Sequence, residues 1–221
     1  MLSKLSLHSR TEFPDHHYCI RSRVILGRAV KMTPPIIESG DAENEAILET
    51  ARLMLAAVRT APKSAGIDDV LSLIIYGKEK EAVADKMEQI AEERMQEGFK
   101  RDAKSVRDSE AIIVVGVRGA KSFGLDCGAC GYETCKEFKD KQNRKGRDFV
   151  GPTCLFKALD LGIALGSAAK TASVLNVDNR IMYRAGTAAL MLGWLPEATV
   201  AMGIPISAKG KSIYFDRPAR V

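Results

Sequence analysis

Beyond residue 31 the chain has no histidine; His8, His16 and His17 all lie in its opening segment. A Ser-His-Asp triad, a Cys-His pair and a His-ligated metal are therefore excluded from the body, unless that segment folds back. Long apolar runs are also missing. The longest weakly charged stretch, Leu155 to Val177, still carries Lys157, Asp160 and Lys170, which argues against a membrane span. Charge of one sign is missing from the body as well. The formal net charge is +5, but six of the 33 bases and two of the 28 acids fall in residues 1–31, so residues 32–221 are near neutral. Nucleic acid, whose phosphates demand a concentrated basic face, is not an expected partner. Cysteine is scarce: there are five, and only Cys19 lies outside residues 127–154. The single tryptophan, Trp194, reads as core.

What is present is a globular chain of 221 residues, 46% apolar and 28% charged, with room for one core of ordinary size. Residues 1–31 show no sustained helical or strand period and no signal-peptide h-region. They read as a poorly ordered extension, with Met32 as the expected natural start and the cytoplasm as the expected location. The body, residues 32–221, mixes helices and strands without an internal repeat. A helix is expected over 41–60, with Asp41 as N-cap, and Pro62 stops it. A strand follows over 71–76, then a helix over 79–97 that Gly98 ends, a short polar helix over 100–107 and a buried strand over 111–117. After the cysteines come helices over 155–175 and 179–192, a strand over 198–202, and a Gly, Pro and Lys loop over 203–217. Ala158, Gly162 and Gly166 form a small-residue stripe at i, i+4, i+8, against which something must pack closely.

The chemistry sits in the cysteines. Cys127, Cys130, Cys135 and Cys154 follow the spacing C-x2-C-x4-C-x18-C. Four thiolates are the complement of an iron–sulfur cluster. Gly128 and Gly131 directly follow the first two cysteines and allow the tight wrapping, with N–H groups aimed at sulfur, that a cuboidal 4Fe-4S cluster needs. Thr153 is placed to cap the helix that begins at Leu155, with Cys154 in its first turn. Zinc also takes four cysteines, but usually from two C-x2-C knuckles, and here the second is missing. A disulfide framework suits a small secreted chain better than a body with its own core.

The run Cys127-Gly-Ala-Cys-Gly-Tyr-Glu-Thr-Cys135, with Cys154 downstream, resembles the 4Fe-4S domain of electron-transport complex B subunits and of corrinoid iron–sulfur proteins. Over 32–221 the chain resembles a family of ferredoxin domain-containing proteins, through Val177-Asp-Asn-Arg-Ile-Met-Tyr183 and the ending Gly203 to Arg217. The order of elements, with the Ala61-Pro62-x-Ser64 loop and the late Gly-Ile-Pro, resembles the nitroreductase fold. These resemblances imply an α+β fold: a nitroreductase-like mixed sheet with helices, carrying a 4Fe-4S cysteine insertion over 119–156. They also imply a homodimer, and FMN as a cofactor at the subunit interface. Carried over residue by residue, Arg59, Lys63 and Ser64 would lie near the flavin ring or phosphate, and Lys209, Lys211 or Arg217 would pair with the phosphate.

The functional expectation is a 4Fe-4S redox protein, an electron-transfer or oxidoreductase module that passes electrons to a bound flavin. Its partner would be a redox protein or a small-molecule electron acceptor, with no nucleic acid and no membrane. The competing expectation is a structural or regulatory metal-binding protein, with Fe–S or zinc, that has no catalytic activity.

Overall fold

The structure is a computed structural model that describes residues 36–141 and 144–215. The expectations for residues 1–31 and for Arg217 lie outside the described residues. The first helix, α1 (Ser39–Thr60), buries Ile47, Ala51, Met54 and Val58 on one face. Its N-cap is Glu38, and Asp41 lies in the first turn, where a carboxylate favours the positive helix end. It stops at Ala61 (ψ 137°) because the following Pro62 disfavours helical backbone there. A single 3-10 turn (Ser64–Gly66) leads into β1 (Val70–Tyr76).

Two helices, α2 (Gly77–Arg94) and α3 (Glu97–Asp108), form a hairpin that delivers the chain to β2 (Ala111–Val117). The sequence reading ran one helix through to Glu97 and used Gly98 as its stop. Instead Met95 (φ 52°) ends α2 in the left-handed conformation, and Gly98 lies inside α3. Gly98 is small for packing: a Cβ there would stand 2.6 Å from the Arg184 guanidinium. After the cysteine segment come α5 (Leu155–Val174), β5 (Asp178–Asn179), α6 (Tyr183–Met191) and β6 (Val200–Ser207). The last helix starts later than the expected residue 179, because residues 178–182 pair with β6 through Asp178–Ser207, Asn179–Ile206 and the Met182–Gly203 bridge.

The main sheet has the order β1-β2-β6-β5. Every described pairing is antiparallel, where the sequence reading had strands of mixed direction. The α2–α3 hairpin explains the first pairing, since two helices between strands return the chain to the end it left. The strand expected to end at Met202 continues to Ser207 in spite of Pro205. Arg180 N–H donates to Pro205 O, so the proline's missing N–H faces the short β5 side, where little ladder is lost.

All seven residues of β2 are buried, because the sheet is covered on both faces. Ala111, Ile113, Val115 and Val117 pack with α1 and α5, while Ile112 and Val114 pack with α2, α3 and α6. Each such isoleucine or valine contributes about 1.5–3 kcal/mol by burial. On the second face α6 sits so close to β6 that a Cβ on Gly186 would lie 2.2 Å from Ala201 O. Among the described residues no helix is long and apolar enough to cross a membrane.

Candidate functional site

The cysteine segment leaves the sheet after Val117 and returns at α5. Its two ends are tied to each other and to the sheet. Gly119 N–H donates to Thr199 Oγ1 at 2.9 Å, and Cys154 N–H donates to Gly119 O at 2.9 Å. A side chain at 119 would collide with Thr199 and Thr153, so glycine is required at this crossing. Between these ends lie a short helix, α4 (Cys135–Asp140), and a two-stranded hairpin of β3 (Arg144–Lys145) and β4 (Val150–Gly151).

The local chemistry wraps the chain tightly. Gly128 (φ 72°) and Gly131 (φ 87°) are left-handed, and Gly131 N–H donates to Gly128 O. Asp126 Oδ1 accepts from Cys135 N–H at 2.5 Å, and Thr134 Oγ1 caps α4 by accepting from Glu137 N–H at 3.1 Å. Phe138 is fully buried and meets Tyr132 edge to face. The hairpin is held to the body by Asp148, which pairs with Arg94 and accepts from the Tyr183 hydroxyl. Burial pushes the Asp148 carboxyl up, but those two partners outweigh it and hold it below the usual carboxylate range.

The result is one narrow pocket lined by Cys127, Cys130, Cys135 and Cys154, with Ser122, Asp126, Tyr132 and Phe138 among the other walls. All four cysteines are free thiols; Cys127 is exposed, Cys130 and Cys135 are half-buried, and Cys154 is buried. Cys154 is itself the N-cap of the 20-residue α5 and Thr153 lies just outside, so the cap falls one residue later than the sequence reading had it. Cys135 opens α4. The Cys154 side chain therefore sits at the positive end of a long helix, a place that favours an anionic group. Among the described residues no three His, Cys, Asp or Glu side chains gather where one metal ion could be held.

Behind Cys154 lies a buried charge group that the sequence reading did not assign. Lys157, 1% exposed, stands 2.9 Å from Asp69 Oδ2 and 4.0 Å from Asp160 Oδ2, at angles that leave its ammonium without a directed hydrogen bond. Lys121 donates to Asp69 Oδ1 at 2.8 Å. Burial raises the Asp69 carboxyl, but Lys121 and Lys157 outweigh it and hold it below its ordinary value. Asp160 Oδ1 accepts from both Ser64 N–H and Ser64 Oγ, each at 2.8 Å. The available signal was Lys157 and Asp160 falling on the same α5 face as Leu161, Ala164 and Ala168.

The flavin candidates are dispersed and engaged. Arg59 is paired with Asp68. The Lys63 ammonium turns inward and donates to Val58 O, Arg59 O and Ala61 O, closing the end of α1. Ser64 is held by Asp160. Lys209 pairs with Glu110, beside Ala111, whereas Ser64 leads to Val70, the partner of Val117. The two groups thus lie at opposite ends of seven-residue strands, about 20 Å apart along the sheet. Lys211 is exposed on the Lys209 side. Within one protomer these residues do not form one phosphate site.

The model of one protein family, "Uncharacterized protein containing a ferredoxin domain (DUF2148)", matches residues 150–217. That stretch holds Cys154 and both sequence runs, Val177–Tyr183 and Gly203–Arg217, on which the resemblance rested. An uncharacterized protein of Archaeoglobus fulgidus is 50% identical over 182 residues, which cover 82% of this chain and 97% of that protein. The chain belongs to the ferredoxin-domain family. Solved structures share its fold. A nitroreductase from Saccharomyces cerevisiae aligns with a TM-score of 0.52 at 11% identity, covering 75% of this chain and 84% of its own. A nitroreductase with bound FMN from Desulfitobacterium hafniense DCB-2 aligns with a TM-score of 0.50 at 14% identity, covering 78% and 81%. This ferredoxin-domain protein therefore has the nitroreductase fold, an α+β body with helices on both faces of its sheet.

Proposed function

We propose that this ferredoxin-domain protein is a redox protein that holds one 4Fe-4S cluster through Cys127, Cys130, Cys135 and Cys154. The observation that carries the reading is the single cavity lined by all four free thiols. A lone tetrahedral zinc also takes four thiolates, but usually from two C-x2-C knuckles, and here the second is missing, so the spacing suits a polynuclear cluster better. When bound, the cluster supplies one-electron transfer. The chain's part is to supply thiolates, to set the positive end of α5 at Cys154, and to exclude water on the Phe138 side. Free thiolates of this kind fit the reducing cytoplasm.

The open side of the site fits an acidic redox partner. Between Lys136 and Arg147 the described residues carry Lys136, Lys139, Lys141, Arg144, Lys145 and Arg147 against Glu137 and Asp140, all exposed. Such a field steers association with an oppositely charged protein. The reading also includes a homodimer, because α5 leaves Leu155, Ala158, Leu159, Gly162, Ile163 and Gly166 exposed along one face. A flavin is a second cofactor to be tested for: the fold is that of a nitroreductase with bound FMN, but the candidate contacts are engaged within the protomer, and no step is assigned to it.

An absorption spectrum of anaerobically purified protein tests the cofactor. A broad shoulder near ~400 nm that dithionite bleaches, with matching iron and acid-labile sulfide, is the expected result. Resolved flavin bands would add FMN. A colourless protein holding stoichiometric zinc would overturn the redox reading in favour of a structural metal.

A further inference from the structure

We propose that Ser122 is a hydrogen-bond donor to the contents of the cysteine cavity and sets the reduction potential of the group held there. The proposal rests on the 4Fe-4S reading above. Ser122 lines the same cavity as the four cysteines. Its Oγ is buried and, among the described residues, has no hydrogen-bond partner, sulfur included. The other short polar side chains of that wall are engaged: Asp126 accepts from Cys135 N–H and Thr134 from Glu137 N–H. A buried hydroxyl left unpaired loses its hydration with nothing in return. Among the described residues no protein acceptor reaches this O–H, so its acceptor is what the pocket holds. In a cavity walled by thiolates that is a sulfur of the cluster.

The residue is also held in place by its neighbours on both sides. Lys121 is anchored by Asp69 at 2.8 Å. Phe123 lies beneath the Lys157 ammonium, 4.0 Å from Nζ to the ring centroid, and meets Phe156 edge to face at 5.7 Å. Lys157 in turn pairs with the same Asp69. The buried charge group thus closes a clamp over residues 121–123, and the hydroxyl between the two anchors is pre-positioned. This gives that group a purpose its burial cost would otherwise leave unexplained. Chemically, an O–H donor to a cluster sulfur stabilises the reduced, more negative state over the oxidised one and raises the potential. Ser122 is a positioning residue: it moves no electron itself.

The test is a redox titration of the iron–sulfur signal in the full chain for the parent, Ser122→Ala and Ser122→Thr, with iron and sulfide measured on each sample. Ser122→Ala is expected to keep its cluster and to lower the reduced-to-oxidised ratio at a fixed ambient potential by about three- to tenfold, a shift of about 28–59 mV to lower potential for one electron. Ser122→Thr, which keeps the hydroxyl, is expected to stay near the parent. An unchanged potential in Ser122→Ala, or equal shifts in both variants, overturns the hydrogen bond, the second result by assigning the effect to packing. A parent without iron and sulfide overturns the cluster reading itself, which separates the two failures.

Discussion

Replacing Gly162 by leucine separates a monomer from a dimer by the sign of a stability change. Nothing lies within 4 Å of the Cβ that Gly162 or Gly166 would carry, so within one protomer a larger side chain meets no obstacle. Glycine inside a helix is about 0.8–1.0 kcal/mol less favourable than a good helix former. In an isolated protomer Gly162→Leu should therefore stabilise α5 by about that amount and raise Tm by roughly 2–4 °C for a chain of this size. If a second copy packs on this face, the outcome reverses. Leu159 and Ile163, 49% and 44% exposed, would be the flanking contacts, and the glycines would allow close approach between them. Leucine would then overfill the contact at about 1–3 kcal/mol per site. A two-fold axis counts each site twice, so the dissociation constant should rise by about 30-fold or more. The assay is light scattering at micromolar concentration, with thermal unfolding at several protein concentrations. The expected results are a parent dimer with a concentration-dependent Tm, a Gly162→Leu variant that is weakened in assembly and melts lower, and a milder loss for Gly162→Ala. A monomeric parent whose leucine variant melts higher would refute the dimer.

Three further outcomes follow from the same structure. Single Cys127→Ala, Cys130→Ala, Cys135→Ala and Cys154→Ala variants should each lose iron and acid-labile sulfide, while Cys19→Ala should not; full content in any two of the four would sink the ligand assignment. Gly186→Ala should cost at least about 1–3 kcal/mol in urea unfolding, because its Cβ would lie 2.2 Å from the Ala201 carbonyl; wild-type stability would mean that α6 does not pack on β6 as described. Asp148 has a folded-state pKa below its ordinary value, through Tyr183 and Arg94 working against burial. Its contribution is complete above the unfolded value of about 3.9 and is lost as pH falls through the folded one. Urea unfolding from pH 7 down to pH 3 should show that loss in the parent and a flatter profile in Asp148→Asn, and parallel profiles would count against the clamp.

Several features needed nothing beyond the order of residues. The unbroken apolar run Ala111–Val117 pointed to a strand covered on both faces, since it is short for a helix and rich in β-branched isoleucine and valine. The stripe Ile47, Ala51, Met54, Val58 defined α1, and Pro62 its end. The spacing of the cysteines, with glycine after the first two, marked Cys127, Cys130, Cys135 and Cys154 as one group, and the fold puts all four on the walls of one pocket. Other features were decided by tertiary contacts, which local patterns do not encode. Gly98 looked like a helix stop and proved to make room for Arg184, because its neighbour lies 86 residues away in sequence. Pro205 looked like a loop residue and proved to be strand, because only the pairing with short β5 determines which side its missing N–H faces. Lys63 and Lys209 had the charge for a phosphate, but a lysine's partners depend on where the backbone turns: one closes the end of α1 and the other meets Glu110 at the far end of the sheet. Ser122 carries no sequence signal at all. Its hydroxyl became informative only once folding had brought it to the wall that Cys154, 32 residues away, also lines, and had left it there without a partner.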